Sequence, residues 1–278
     1  MKQKLKQWLK KIFKIEENYN TIVNVDVYEK TPSDLFKGKI VVITGGGSGL
    51  GYYMAKKLSK EKAKVIIIGR NEEKLRKSSK EIKCDYEVFD VKDLDKTDEL
   101  ISRLYQKHGK IDILIHNAGI SLHEGNMLNV TQEDFQNQFD TNLKGGYFLS
   151  QSYIKKYKEE KQTCGNIIFI SSERGNQCDD VPYGLTKVSL NHLIEGMSRR
   201  FYMDGIRVNG VAPGVTASDM TGIKRDDNLY CTYNVSKIYF VPEEVAEVVC
   251  FLASDYSKCI SGEIIHCDAG NHLNPWFK

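Results

Sequence analysis

A doubly wound α/β fold, a parallel sheet with helices on both faces, is what this sequence predicts, and three observations carry the prediction. From Lys39 onward, short apolar runs rich in valine and isoleucine alternate with helical patterns, the order produced when a helix carries the chain back to begin each parallel strand. The first run breaks into glycines, with Gly45, Gly49 and Gly51 spaced so that a strand tightens into a turn and enters a helix. The chain has 278 residues, 41% of them hydrophobic, enough for one α/β domain of roughly 250 residues around a substantial core.

Taken in order, the pattern places strands near residues 40–44, 64–69, 84–89, 111–116, 166–171, 206–212 and 262–267. Helices are expected near 50–60, 72–82, 94–108, 131–159, 182–203 and 242–254. The strand segments are short and β-branched, whereas the longer segments repeat apolar residues at helical spacing. Gly109 and Gly205 each stand between a helix and the next strand. Residues 215–240 fit neither template: they are polar and carry Gly222 and the charged run Lys224, Arg225, Asp226 and Asp227. A long irregular segment in a compact domain suits a functional lid or disorder.

Residues 1–37 read as an extension and connector ahead of one domain at 38–278. Leu5, Trp8, Leu9, Ile12 and Phe13 share one helical face, with lysines filling the other positions. The first fourteen residues hold six lysines and no acid, so the net charge of +3 is local and the other 264 residues stand at about −3. Such a helix suits an anionic membrane surface, or docking on the same protein or a sister subunit. A mildly acidic body has no electrostatic footprint for nucleic acid. No apolar run reaches the roughly 18 to 20 residues of a membrane span, and no signal-peptide core is present. A cytoplasmic body is therefore expected, with peripheral membrane contact through residues 1–14 left open. The seven cysteines, at 84, 164, 178, 231, 250, 259 and 267, show no CxxC or Cys/His spacing, which argues against a disulfide frame or a metal site.

Two stretches carry chemistry. The glycine turn resembles those that bring a helix N-terminus against a pyrophosphate, where side chains would block the ligand and the helix end supplies partial positive charge. Tyr183 and Lys187 begin a helical pattern and lie one turn apart on one face. A lysine beside a phenol stabilises the phenolate, which suits proton exchange near neutral pH. Alone this spacing is weak, because a chain with 15 tyrosines and many lysines holds such pairs by chance. His116 and His123 have no apparent partner and are assigned to packing or solvent contact.

What makes the pair informative is the ordered set of segments around it. Thr44 to Gly51 reads TGGGSGLG and includes Gly47, Ser48 and Leu50. Then come Asp90-Val91, His116-Asn117-Ala118-Gly119, Asn142, Ser172, Tyr183 with Lys187, Val208-Asn209, Pro213-Gly214, and Asp268-Ala269-Gly270. In register, over nearly all of residues 39–272, these resemble the short-chain dehydrogenase/reductase family: its TGxxxGxG turn, adenine contact, NNAG signature with His116 in place of the first asparagine, helix asparagine, serine, YxxxK and PG segment. The interval from Ser172 to Tyr183 is shorter than the commonest one, so the loop at 173–181 must take a tighter path, and Ser171 is the alternative to Ser172. The N-terminal extension is a second departure.

The resemblance implies a Rossmann fold with about seven parallel strands and reversible hydride transfer between a nicotinamide and a carbonyl or secondary alcohol. It implies Asn142, Ser172, Tyr183 and Lys187 as the catalytic set. Ser172 would hold the substrate oxygen, Tyr183 would move its proton, Lys187 would lower the tyrosine pKa and hold the ribose, and Asn142 would keep a water. Cofactor binding would fall to the glycine turn, Arg70, Asn71, Asp90, Val91, Asn117, Ala118, Gly119, Tyr183, Lys187, Pro213, Gly214, Thr216 and Ser218. Where an acid would accept the ribose hydroxyls stands Gly69, followed by Arg70, with Asn71 and Lys74 nearby. A guanidinium there favours a 2′-phosphate, so NADP(H) is expected over NAD(H), which remains possible. Reduction is the expected direction. Oxidation of an alcohol, or a cofactor-binding sensor without turnover, are the alternatives. His123, Glu124, Glu173, Arg174, Gln177, Asp179 and Asp180 point to a polar substrate, and the long helices to a homodimer or homotetramer.

Overall fold

The computed structural model describes residues 34–232 and 234–273; the basic helix expected at 1–14 and most of the connector lie outside them. Among the described residues seven strands form one sheet: β1 (Ile40–Thr44), β2 (Lys64–Gly69), β3 (Asp85–Val88), β4 (Ile113–His116), β5 (Gly165–Ile170), β6 (Ile206–Pro213) and β7 (Ile264–Cys267). Their order is β3-β2-β1-β4-β5-β6-β7, and every pairing is parallel. Between them run α1 (Gly49–Lys60), α2 (Glu72–Ile82), α3 (Thr97–His108), α4 (Gln132–Phe139), α5 (Gly145–Glu159), α6 (Pro182–Phe201) and α7 (Pro242–Ala253).

The β-branched strands are buried on both sides because side chains alternate across a pleated sheet. Val41 and Ile43 of β1 join Met54 and Leu58 of α1 and Val245 and Val249 of α7 in one core layer. Ile40 and Val42 join Leu100 and Leu104 of α3, Leu149 and Tyr153 of α5, and Leu190 and Ile194 of α6 in the other. The folded body already includes Phe36, 1% exposed, whose amide donates to the Glu61 carbonyl at 2.9 Å.

Two elements differ from the sequence pattern, and the irregular segment agrees with it. The helix expected over 131–159 is interrupted by a π-helical turn, Asp140–Lys144, between α4 and α5. An extra residue in one turn leaves the apolar spacing almost unchanged, so periodicity does not reveal it, and such turns favour functional positions. The pattern from residue 94 opens as a 3₁₀ turn, Leu94–Lys96, and becomes α-helical only at Thr97, whose hydroxyl donates back to the Leu94 carbonyl at 2.9 Å. As the sequence pattern suggests, residues 215–232 and 234–240 form neither helix nor strand but three isolated bridges, and Ala217, Leu229 and Val241 build a small apolar cluster beneath them.

Candidate active site

The strand order reverses between β1 and β4, and the crevice beyond the carboxyl ends of the strands at such a point is where open α/β sheets bind ligands. An open cleft of about 1460 Å³ lies there. Its floor is the glycine turn. Gly45 adopts φ +66°, a left-handed conformation, and a Cβ on Gly51 would sit 2.2 Å from the Gly45 carbonyl oxygen. Gly49, at φ +52°, opens toward the cleft instead, its nearest neighbour being the Ser218 Cβ at 3.9 Å. The turn is clamped from β4: Asn117 Nδ2 donates to the carbonyls of Thr44 and Gly45, both at 3.1 Å. The Thr44 hydroxyl accepts from the amides of Asn117 and Ala118, also at 3.1 Å. Helix α1 has no side-chain cap at Ser48 and no acid in its first turn, whereas α2, α3, α4 and α7 each carry two acids there. A positive helix end behind a cradle without side chains fits the pyrophosphate of a dinucleotide.

At the end of β2, Arg70 is more than half exposed, with Nη1 3.8 Å from Asp90 Oδ2. Asn71 Oδ1 caps α2 by accepting from the Lys74 amide at 2.9 Å. Lys74 Nζ reaches across to Asp219, 3.4 Å away in the irregular segment.

The chemical groups converge on the opposite wall. Helix α6 begins with Pro182, which suits a first helical position, and carries Tyr183 and Lys187 on one face. The Lys187 ammonium donates to the Ile170 carbonyl at 2.9 Å and lies 5.5 Å from the centre of the Tyr183 ring. Burial lowers its pKa to about 8. Burial is also the largest influence on the Tyr183 phenol and raises it, while the Ser172 hydroxyl and the Arg174 guanidinium pull it back. The dominant effect on this phenol is thus opposite to the lowering expected from Lys187, because burial penalises the charged form of each group. The two serines divide: Ser171 Oγ turns inward to donate to Asn191 Oδ1 at 2.5 Å, leaving Ser172 beside Tyr183.

Asn142, in the π-helical turn, accepts from the Ile120 amide at 2.8 Å and donates to the Ile120 carbonyl at 2.9 Å and Thr186 Oγ1 at 3.2 Å. Its side chain holds the loop that follows β4 in place. The tight loop after Ser172 is closed by the Arg174–Asp179 ion pair and by Asn191 Nδ2, which donates to Gly175 O at 3.2 Å and Asn176 Oδ1 at 2.9 Å. His116 stacks on Phe169 at 4.5 Å, shares a 2.7 Å hydrogen bond with Ser150, and is held neutral by burial, its pKa lowered to about 3.

Among the sequence-selected residues, Gly45, Gly47, Ser48, Gly49, Leu50, Arg70, Asn71, Asp90, Val91, Asn117, Ala118, Gly119, Ser172, Tyr183, Lys187, Pro213, Gly214, Thr216 and Ser218 line the cleft, whereas Gly51 and Asn142 stand behind its wall. Of the polar residues expected to face a substrate, His123, Glu173, Arg174 and Gln177 do line it. Glu124 is engaged by Gln138, Asp179 by Arg174, and Asp180 by the Met127 amide at 3.2 Å. The sequence reading did not single out Asn234, Lys237 and Asn271, which line the cleft as well. No local signal marks them, since only the path of the irregular segment and the last turn brings them there.

Comparison with known proteins bears on the same region. A family model described as enoyl-(acyl carrier protein) reductase matches residues 45–272. A 3-oxoacyl-[acyl-carrier-protein] reductase, FabG, of Rickettsia conorii is 37% identical over 241 residues, covering 84% of this chain and 96% of the relative. A 3α-hydroxysteroid dehydrogenase of Mediterraneibacter gnavus is 30% identical over 247 residues, with 84% and 97% covered. Among solved structures, a gluconate 5-dehydrogenase from Burkholderia cenocepacia in complex with NADP and tartrate superposes with a TM-score of 0.78 at 27% identity, covering 86% of this chain and 97% of that one.

Proposed function

The chain belongs to the short-chain dehydrogenase/reductase family and is an oxidoreductase, and we propose that it reduces a carbonyl to a secondary alcohol, reversibly, with NADP(H). The observation that carries this reading is the meeting of Ser172, Tyr183 and Lys187 on one wall of a cleft whose other end is the glycine turn. When bound, the cofactor would supply or take the hydride. Ser172 then holds the carbonyl oxygen by a hydrogen bond, and Tyr183 donates a proton to that oxygen as its charge develops. Lys187, protonated at neutral pH, favours the phenolate that Tyr183 becomes and also holds the ribose. Asn142 fixes Ile120 and Thr186, and so the positions of the wall beside Lys187.

Arg70 would pair with a 2′-phosphate, exchanging its long contact with Asp90 for a charge-assisted one. The solved relative holding NADP and tartrate supports a phosphorylated cofactor and a polar substrate. We also infer self-association to a dimer or tetramer, and a cytoplasmic protein with peripheral membrane contact through its basic start. No described helix is long and apolar enough to cross a membrane. Oxidation of NADPH and NADH by the full chain with a panel of ketones, aldehydes and hydroxylated carbonyls tests the reading. Turnover with NADPH supports it, and cofactor binding without turnover of any carbonyl or alcohol would make the protein a sensor instead.

A further inference from the structure

Glu173 has no task in the reaction just described, yet it follows Ser172 directly, is 6% exposed and lines the cleft. Its Oε2 accepts from Asn271 Nδ2 at 2.9 Å, and Asn271 Oδ1 accepts in turn from the Val235 amide at 3.2 Å. The last turn, Asn271–Leu273, thereby fixes the carboxylate and ties it to the irregular segment. Among the described residues no cation forms an ion pair with it: Arg174 is paired with Asp179 and His272 with Asp268 at 2.6 Å, and both act on Glu173 only from a distance, favouring its charged form. A carboxylate has about four acceptor sites, so one amide leaves capacity for a ligand. Burial, helped by Asp268, raises its pKa, the expected cost of holding an acid in a wall of this kind.

We propose that Glu173 is a specificity-determining residue that accepts a hydrogen bond from a hydroxyl on the carbon next to the reacting one, so that the enzyme prefers α-hydroxy carbonyl compounds, or vicinal diols in reverse, over the matching alkyl ketones. This rests on Ser172 holding the carbonyl oxygen. Ser172 and Glu173 line the cleft together, and the Ser172 hydroxyl and the Glu173 carboxylate both act on the Tyr183 phenol, which puts a hydroxyl held by Glu173 beside the carbon whose oxygen Ser172 holds. An alkyl ketone would leave the carboxylate desolvated and without its partner, the situation in which hydrogen-bonding sites discriminate most strongly. If Glu173 only tethered the last turn, its loss would affect both substrates alike.

The test compares 1-hydroxy-2-butanone with 2-butanone on the full-length wild type, Glu173→Gln and Glu173→Leu. One arm measures kcat/KM with NADPH. The other measures binding of each ketone to protein saturated with NADP⁺, where no hydride is available, by ligand-detected NMR. The wild type should favour the hydroxy ketone by about tenfold to a hundredfold. The ratio should fall to near one in the leucine variant and part-way in the glutamine variant, whose amide oxygen still accepts. A wild-type ratio near one, or a ratio that survives Glu173→Leu, overturns the proposal. So does failure of the NADP⁺ form to bind either ketone. If the leucine variant does not fold, the glutamine variant decides, and an unchanged ratio there is fatal. Selective binding that is lost in the variants, without wild-type turnover of either ketone, would uphold the recognition and refute the reductase reading.

Discussion

Tyr183 is a buried phenol whose proton is held more tightly by its surroundings than it would be in water. That suits a donor in the reducing direction, where the proton must stay until charge develops on the substrate oxygen. Tyr183→Phe removes the donor and leaves the glycine cradle untouched. Turnover should fall about a hundredfold to ten-thousandfold while cofactor affinity, read by fluorescence titration, stays within a small factor. His116 makes a prediction about stability. Its pKa in the folded protein, about 3, lies below the ordinary 6.5. As pH falls through that interval the unfolded chain takes up the proton and the folded one does not, so stability is lost on acidification. Above 6.5 both states are neutral and the effect vanishes. In His116→Asn, urea unfolding between pH 6 and 4 should show a shallower loss, by roughly 1.4 kcal/mol per pH unit.

At the scale of elements, the turn between β1 and α1 has two kinds of glycine. Gly51 is confined by backbone, with the Gly45 carbonyl oxygen 2.2 Å and Asn117 Nδ2 2.6 Å from where a Cβ would stand. Gly51→Ala should therefore push α1 away from β4 and cost about 1 to 3 kcal/mol in chemical denaturation, the range for overpacking a tight site. The end of β2 sets cofactor choice. Arg70→Ala should reduce the preference for NADPH over NADH about tenfold to a hundredfold, and Gly69→Asp should lower NADPH efficiency by like-charge repulsion. Equal use of both cofactors by the wild type would show that the phosphate is not read here. Asp90 pairs with Arg70, and Glu72 and Glu73 stand in the adjoining first turn, so the measured preference reports the balance among these charges.

At the scale of the whole molecule, α5 and α6 have outward faces that the described residues leave exposed. Tyr147 on α5 and Leu185 and Val188 on α6 are exposed although their helices also line the core. Two helices with apolar residues on both sides suit a symmetric interface between copies. Sedimentation at micromolar concentration should give a dimer or tetramer, and Leu185→Lys with Val188→Glu should shift the protein toward monomer. A wild-type monomer would remove this inference.

The sequence by itself determined the alternation of strands and helices, the seven-stranded parallel sheet, the glycine turn, and the register of the motifs along it. These are local matters: an apolar run, a helical period or a glycine at a fixed offset records its structure within a few residues. Tertiary structure decided which groups meet. The π-helical turn that aims Asn142 at Ile120, the inward rotation of Ser171 and the stacking of His116 on Phe169 depend on partners from other elements. The Glu173–Asn271 hydrogen bond joins residues 98 apart in the chain. The polar stretch at 173–180 shows the limit of local reading. By sequence its charged residues suit a substrate or solvent alike, and in the structure Asp179 and Asp180 close loops while Glu173 faces the cleft. A charged side chain takes whichever partner the packing presents, and that partner is not written beside it.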